Sequence, residues 1–268
     1  MELDEVKARS RLVWGLGDYA PTSRQLEPVS DHLVETLGIG PGHRVLDVAA
    51  GHGNCALAAA RRGATVVASD FSPEMIRRGR ARTEGTGLAI SWQEADAAEL
   101  PFDDGAFERV TSVFGAIFAP EQELVAHELV RVTAPGGVAG MTAWTVDGVI
   151  ARMIRDLRPS HAPAPPADAP DPMAWGDLAH VERLFADTGA ELTVTPRTVR
   201  FSYPSWEQWA RDFEAHGMMV VLKQELPPED FESLLRKARD FVSAAGSAEG
   251  DGVAYDAEYL EIVVAVPA

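Results

Sequence analysis

An α/β fold built on a mostly parallel sheet is what this chain predicts, and three observations predict it. Segments with strand and helix character alternate from residue 44 to residue 142. The first strand, Val45–Val48, is apolar apart from one acid and runs into a glycine turn, Ala49-Ala-Gly-His-Gly53. The second strand, Thr65–Ser69, is followed at once by Asp70. A strand, a glycine turn, a helix and a second strand closed by an acid make a Rossmann-like half, which holds adenosine-containing ligands at the carboxyl ends of its strands.

The elements follow in order. Residues 2–13 and 24–37 read as helices, the second with Leu26, Val29, Leu33, Val34 and Leu37 on one face. Between them Val13–Pro21 is a glycine-rich turn carrying Trp14 and Tyr19, and Gly38 and Gly40-Pro-Gly42 stop the second helix. Asn54–Arg62 is a helix ended by Gly63. Ser72-Pro73-Glu74 starts another that runs through Arg82: a capping hydroxyl, a proline in the first turn and an acid beside it. Leu88–Glu94 and Phe107–Val113 are the third and fourth strands. Glu121–Val132 is a helix, Pro135-Gly-Gly137 a turn, and Val138–Thr142 the fifth strand. Arg158–Met173 holds six prolines and reads as a surface connector. Trp175–Gly189 is helical, Glu191–Ser202 a strand, Ser205–His216 and Glu229–Ala245 helices, and Val253–Val266 a last strand.

Composition narrows the partners. The 268 residues are 46% apolar and carry a formal net charge of −17. Such a surface repels phosphate backbones and anionic lipid, so neither nucleic acid nor a membrane is expected as partner; a small molecule is. No apolar run approaches a membrane span, and the start of the chain lacks a signal core, so a cytoplasmic monomer or homodimer is expected. Cys55 is the one cysteine, and it reads as a small packed residue rather than a reactive thiol. No histidine–carboxylate cluster has metal-ligand spacing, so no metal is expected.

The glycine turn formally matches a dinucleotide fingerprint, with Ala56 as the third small residue. A nicotinamide-dependent oxidoreductase is therefore one reading. Asp47 opposes it, because an acid there would repel a pyrophosphate and suits a ligand carrying a positive amine. S-adenosylmethionine has an ammonium, a sulfonium and no phosphate. Asp70 is placed to accept bonds from ribose hydroxyls, with Phe71 against adenine. Ser72 is free to cap the next helix. Asp96 follows the third strand, where a side chain meets the adenine edge.

Five stretches then stand in a shared order: Val45–Gly53, Val67–Asp70 with Met75, Asp96–Phe102, Phe107–Val110 and Leu129–Gly137. Together they resemble class I S-adenosylmethionine-dependent methyltransferases, in the small-molecule branch that includes quinone-biosynthesis and secondary-metabolism enzymes. The resemblance implies a seven-stranded sheet with an antiparallel last pair, which Glu191–Ser202 and Val253–Val266 match, while the long helical insertion between those two strands departs from the minimal fold. A helical cap over residues 1–40, a core over 41–202 and 253–268, and a helical lid over 203–252 are expected. The resemblance also implies that Asp47 and Ala49, Ala50, Gly51, Gly53 and Asn54 hold the methionine end. Asp70, Phe71 and Met75 would hold the adenosine, Asp96 and Ala97 the adenine, and Val113 and Phe114 would line the cofactor near its methyl. Ala49 stands where many members have glycine, which is tolerated where the backbone needs no positive φ.

The expected reaction is methyl transfer to a small apolar or aromatic acceptor, on oxygen more than carbon, by in-line displacement with positioning as the main effect. Trp14 and Tyr19 fit a lid, Tyr19 against the cofactor and Trp14 against the acceptor. Trp209 and Phe213 form an aromatic stripe read as acceptor wall, and His216 is a candidate general base, with His52 another. A protein that binds the same cofactor without transferring methyl would look alike in these stretches.

Overall fold

The computed structural model describes residues 3–157, 170–249 and 252–268. Eight strands among them form one sheet: β1 Arg44–Val48, β2 Thr65–Asp70, β3 Ile90–Glu94, β4 Phe107–Val113, β5 Thr133–Trp144, β6 Glu191–Tyr203, β7 Ser247–Glu249 and β8 Gly252–Ala265. The order is β3-β2-β1-β4-β5-β8-β6, with the short β7 paired to β8. β1 to β5 run parallel, and β8 runs against both β5 and β6. This is the expected Rossmann-like sheet of seven strands with an antiparallel last pair, plus a three-residue addition. Order reverses between β1 and β4, so the crevice beyond their carboxyl ends is the place for a ligand.

Helices cover both faces. They are α1 Leu3–Gly15, α2 Ala20–Gln25, α3 Glu27–Thr36, α4 Asn54–Arg61, α5 Pro73–Thr83, α6 Gln122–Arg131, α7 Val149–Asp156, α8 Leu178–Phe185, α9 Trp206–Ala215, α10 Gly217–Glu225 and α11 Pro228–Ala245. Successive strand residues feed opposite layers: Val45 packs with α3 and α4 through Leu33, Cys55 and Ala59, whereas Leu46 joins the layer of Val125, Leu129 and Phe185.

Several expectations are corrected in detail. The single helix expected over 24–37 is two, α2 and α3, broken at Leu26, because Pro21 and Pro28 each fit only the first turn of a helix. Pro135-Gly-Gly137 lies inside β5 as a register shift opposite β4, with Gly136 N–H donating to Val266 O across to β8's end. α7 and α10 lie where no helix was read. Both are short, eight and nine residues, and packing on β8 and α11, or on α1, completes them. The proline-rich connector lies outside the described residues from 158 to 169.

Candidate functional site

A cleft opens at the carboxyl ends of β1, β2 and β4, and the N-terminal helices roof it. Its walls include Asp47, Ala49, Ala50, Gly51, Asn54, Asp70, Phe71, Met75, Asp96, Ala97, Val113 and Phe114, with Tyr19 and Trp14 from the roof. The structure thus brings together every expected cofactor residue except Gly53. That glycine instead makes room for an indole: a Cβ on it would stand 2.9 Å from Trp92.

Two carboxylates sit at the bottom. Asp47 is buried at the end of β1. Its Oδ2 accepts from Ala56 N–H at 2.9 Å, satisfying a free donor in the first turn of α4, and its Oδ1 accepts from Thr111 Oγ1 at 3.1 Å. Burial pushes it up to about 7 against those two bonds. Asp70 is buried too; its Oδ2 accepts from Gly51 N–H and its Oδ1 from Ser72 N–H, each at 2.9 Å. Burial raises it to about 6. Among the described residues no lysine or arginine pairs with either acid, so the two carboxyls of the cleft floor lack a protein counterion.

Two sequence arguments change here. Ser72 stands at the cap position of α5, yet its Oγ is buried and makes no capping bond, and Asp70 bonds the local backbone instead. Ala49 does adopt a positive φ, 51°, and Phe114 at the end of β4 has φ 54°. The condition for a harmless alanine therefore fails, and both strained non-glycine residues lie on the cleft wall, where strain gathers at functional sites.

The roof is the part that sequence reasoning left incomplete. Val6, Lys7, Ser10 and Trp14 of α1 line the cleft, as do Ser23 of α2, Ser30 of α3 and Leu26 between them. The signal was present: 6, 10 and 14 recur at helical steps of four, and 23, 26 and 30 at three and four. Lys7 Nζ pairs with Asp96 at 2.8 Å and also reaches Glu121, and Arg11 pairs with Glu94. Asn54 is a clasp: Nδ2 donates to Ser23 O at 2.6 Å, and Oδ1 accepts from Ser23 Oγ and Arg82. Trp14 meets Phe118, Tyr19 and His216 edge-on at 4.9, 5.8 and 5.8 Å between centroids, and Tyr19 meets His52 at 5.8 Å. Burial pushes the Tyr19 phenol up to about 12.

Three further expected site residues are not on the cleft wall. Trp209 is buried in the main core, stacked on Phe213 at 5.1 Å and edge-on to Trp206, so the aromatic stripe binds α9 to the sheet and forms no acceptor wall. His216 stands behind Trp14 and Tyr19, and its Nδ1 accepts from Met218 N–H to cap α10. Its place is structural. His52 is the imidazole that does line the cleft. Burial and the nearby Arg78 and Arg82 lower it to about 4. Cys55 is buried, and burial pushes its thiol up, away from reactivity.

The chemistry on the walls fits one class of ligand: a cation with hydroxyl donors and an aromatic body. Among the described residues no group of three or more histidines, cysteines and acids could hold a metal ion, and no helix is long and apolar enough to cross a membrane.

Comparison with known proteins agrees. Residues 45–137 match the family model described as Methyltransferase domain. A Mycobacterium tuberculosis protein described as uncharacterized is 46% identical over 181 residues, which are 67% of this chain and 66% of that protein's length. The demethylmenaquinone methyltransferase of Thermus thermophilus is 47% identical over 96 residues, 35% of this chain and 44% of that enzyme. Among solved structures, the YcgJ protein from Bacillus subtilis superposes with a TM-score of 0.61 at 18% identity, covering 89% of this chain and 98% of that one.

Proposed function

We propose that the chain is a class I S-adenosylmethionine-dependent methyltransferase and that it methylates a small acceptor with an aromatic or apolar body, on oxygen. The observation that carries the reading is the pair of buried acids, Asp47 and Asp70, on the floor of a cleft without a protein counterion. A dinucleotide would bring its pyrophosphate beside Asp47 and be repelled, whereas an ammonium is attracted there.

Bound here, the cofactor supplies a methyl group on a sulfonium, a good leaving group. The chain's own residues do the rest. Asp70 would accept the ribose hydroxyls, with Phe71 and Met75 packed beside the adenosine. Asp96 and Ala97 would meet the adenine edge. Asp47, with the backbone of Ala49, Ala50 and Gly51, would take the ammonium end. Val113 and Phe114 close the far side, and Phe114 is fixed there by its stack on Trp144 at 3.7 Å. α1 excludes water from the roof, which strengthens each electrostatic contact below it. Holding the acceptor in line with the methyl supplies most of the rate.

For the acceptor, the aromatic lining of Trp14, Tyr19 and Phe118 supports a ring or an apolar body, in the manner of the quinone precursor in the Thermus relative's name. Asp70→Ala is expected to weaken S-adenosylhomocysteine binding by about 1.5–3 kcal/mol, the scale of bonds to a charged group. Calorimetry measures it, with NAD(H) as control. An unchanged dissociation constant, or tight binding of NAD(H) alone, would sink the reading.

A further inference from the structure

His52 is the one imidazole on the cleft wall, and with Ser30 it is one of two side chains there that keep a buried polar atom without a partner. Asp47, Asp70, Asn54 and Ser23 are all bonded to protein. The side chain of His52 is buried at 8% exposure, and its Nε2 has no hydrogen-bond partner. A buried ring nitrogen left unpaired is costly, and a ligand that supplies the missing bond recovers that cost. The two arginines nearby do not supply it. Arg78 is bonded to Glu74 and Gly15 O; Arg82 is bonded to Glu27, Asn54 and the backbone carbonyl of His52.

The surroundings fix the kind of partner. The ring is neutral near neutral pH, since burial, Arg78 and Arg82 hold it to about 4, so one of its nitrogens is an acceptor. A cationic group beside it would face Arg78 and Arg82. The ammonium of the methyl donor has Asp47 to go to, and the ribose hydroxyls have Asp70. An uncharged hydroxyl on an aromatic body meets both conditions, because Tyr19 stands edge-on to the ring and Trp14 stands edge-on to Tyr19.

Resting on the methyltransferase reading, we propose that His52 recognises the methyl acceptor, its free ring nitrogen accepting the hydrogen bond of a hydroxyl on an aromatic molecule. The residue selects for the hydroxyl and turns its oxygen toward the cofactor. It is a specificity-determining contact that neither the family's motifs nor its relatives' names assign.

The test uses the full chain saturated with S-adenosylhomocysteine and two probes of one shape, naphthol and naphthalene. Binding is read by tryptophan fluorescence, to which Trp14 reports. His52→Phe keeps a ring and removes the nitrogens. It is expected to weaken naphthol by about tenfold and leave naphthalene unchanged. His52→Asn keeps an acceptor oxygen and is expected to restore part of the loss; if Phe overfills the turn, His52→Ala reads the same loss. S-adenosylhomocysteine affinity is expected to stay within about twofold in all three. Equal losses for both probes, or a wild type that binds S-adenosylhomocysteine but not naphthol, would overturn the proposal. A tenfold loss of S-adenosylhomocysteine affinity would instead assign His52 to the cofactor and overturn it too. A wild type that binds no S-adenosylhomocysteine would bring down the methyltransferase reading itself, a distinct outcome.

Discussion

Asp47 does two jobs, and they set the pH behaviour of the site. It bonds α4's first turn and lies where the cofactor's ammonium is proposed to bind. Asp47 and Asp70, raised by burial to about 7 and about 6, favour the fold fully below their unfolded values and lose that contribution as pH rises through 6 to 7. His52 and His216, lowered by burial to about 4, run the other way and favour the fold increasingly as pH rises from 4 toward 6.5. The two pairs oppose each other, so the stability of the ligand-free protein is expected to be nearly level across that window. Ligand affinity has no such cancellation, because the ammonium and the ribose hydroxyls favour ionised carboxylates. S-adenosylhomocysteine is expected to bind about tenfold more weakly at about pH 6 than at about pH 8. Titration calorimetry at the two values checks this, and a flat profile would mean that the acids do not face the ligand.

At the scale of elements, the aromatic stripe of α9 teaches the limit of periodicity. Steps of three and four show that Trp206, Trp209 and Phe213 share a helix face; they do not say what that face meets. It meets the sheet, where Trp209 is buried. Trp209→Ala is therefore expected to cost about 3–5 kcal/mol of stability by urea unfolding, with S-adenosylhomocysteine affinity unchanged in the folded fraction. The N-terminal segment is seated on the α9–α10 junction, and we propose α1 as the lid. Asp18 N–H donates to Ala215 O at 2.8 Å, and a Cβ on Gly217 would stand 2.2 Å from Val13 O. Gly217→Ala is expected to lift α1 and speed S-adenosylhomocysteine release several-fold in stopped-flow, while leaving the sheet intact. A release rate equal to wild type would show that α1 is not the lid.

Across the whole molecule, what the chain made legible was its parallel half. Val45–Gly53, Thr65–Asp70 and Asp96 announce themselves because strand, turn and acid are adjacent in sequence, and each stretch puts at least one residue on the cleft wall. The roof was harder, because Lys7, Ser10 and Ser30 are ordinary helix-surface residues until the fold lays α1 and α3 over the strand ends. His52 and His216 look equivalent in sequence; only burial and partners separate a wall residue from a cap. The conformation of Ala49 was a question the sequence could pose but not answer, since backbone dihedrals at a turn follow from the packing around it.

The position of β8 has a consequence for how the chain is assembled. β8 lies between β5 and β6 and is the only strand that β6 pairs with among the described residues. Synthesis delivers β6, then α9, α10 and α11, and only then β8. Until Gly252–Ala265 has left the ribosome, β6 has no strand to bond and β5 presents an open edge. The nascent chain therefore carries β5 and β6 as two unjoined edges until the trailing strand arrives to stitch them together.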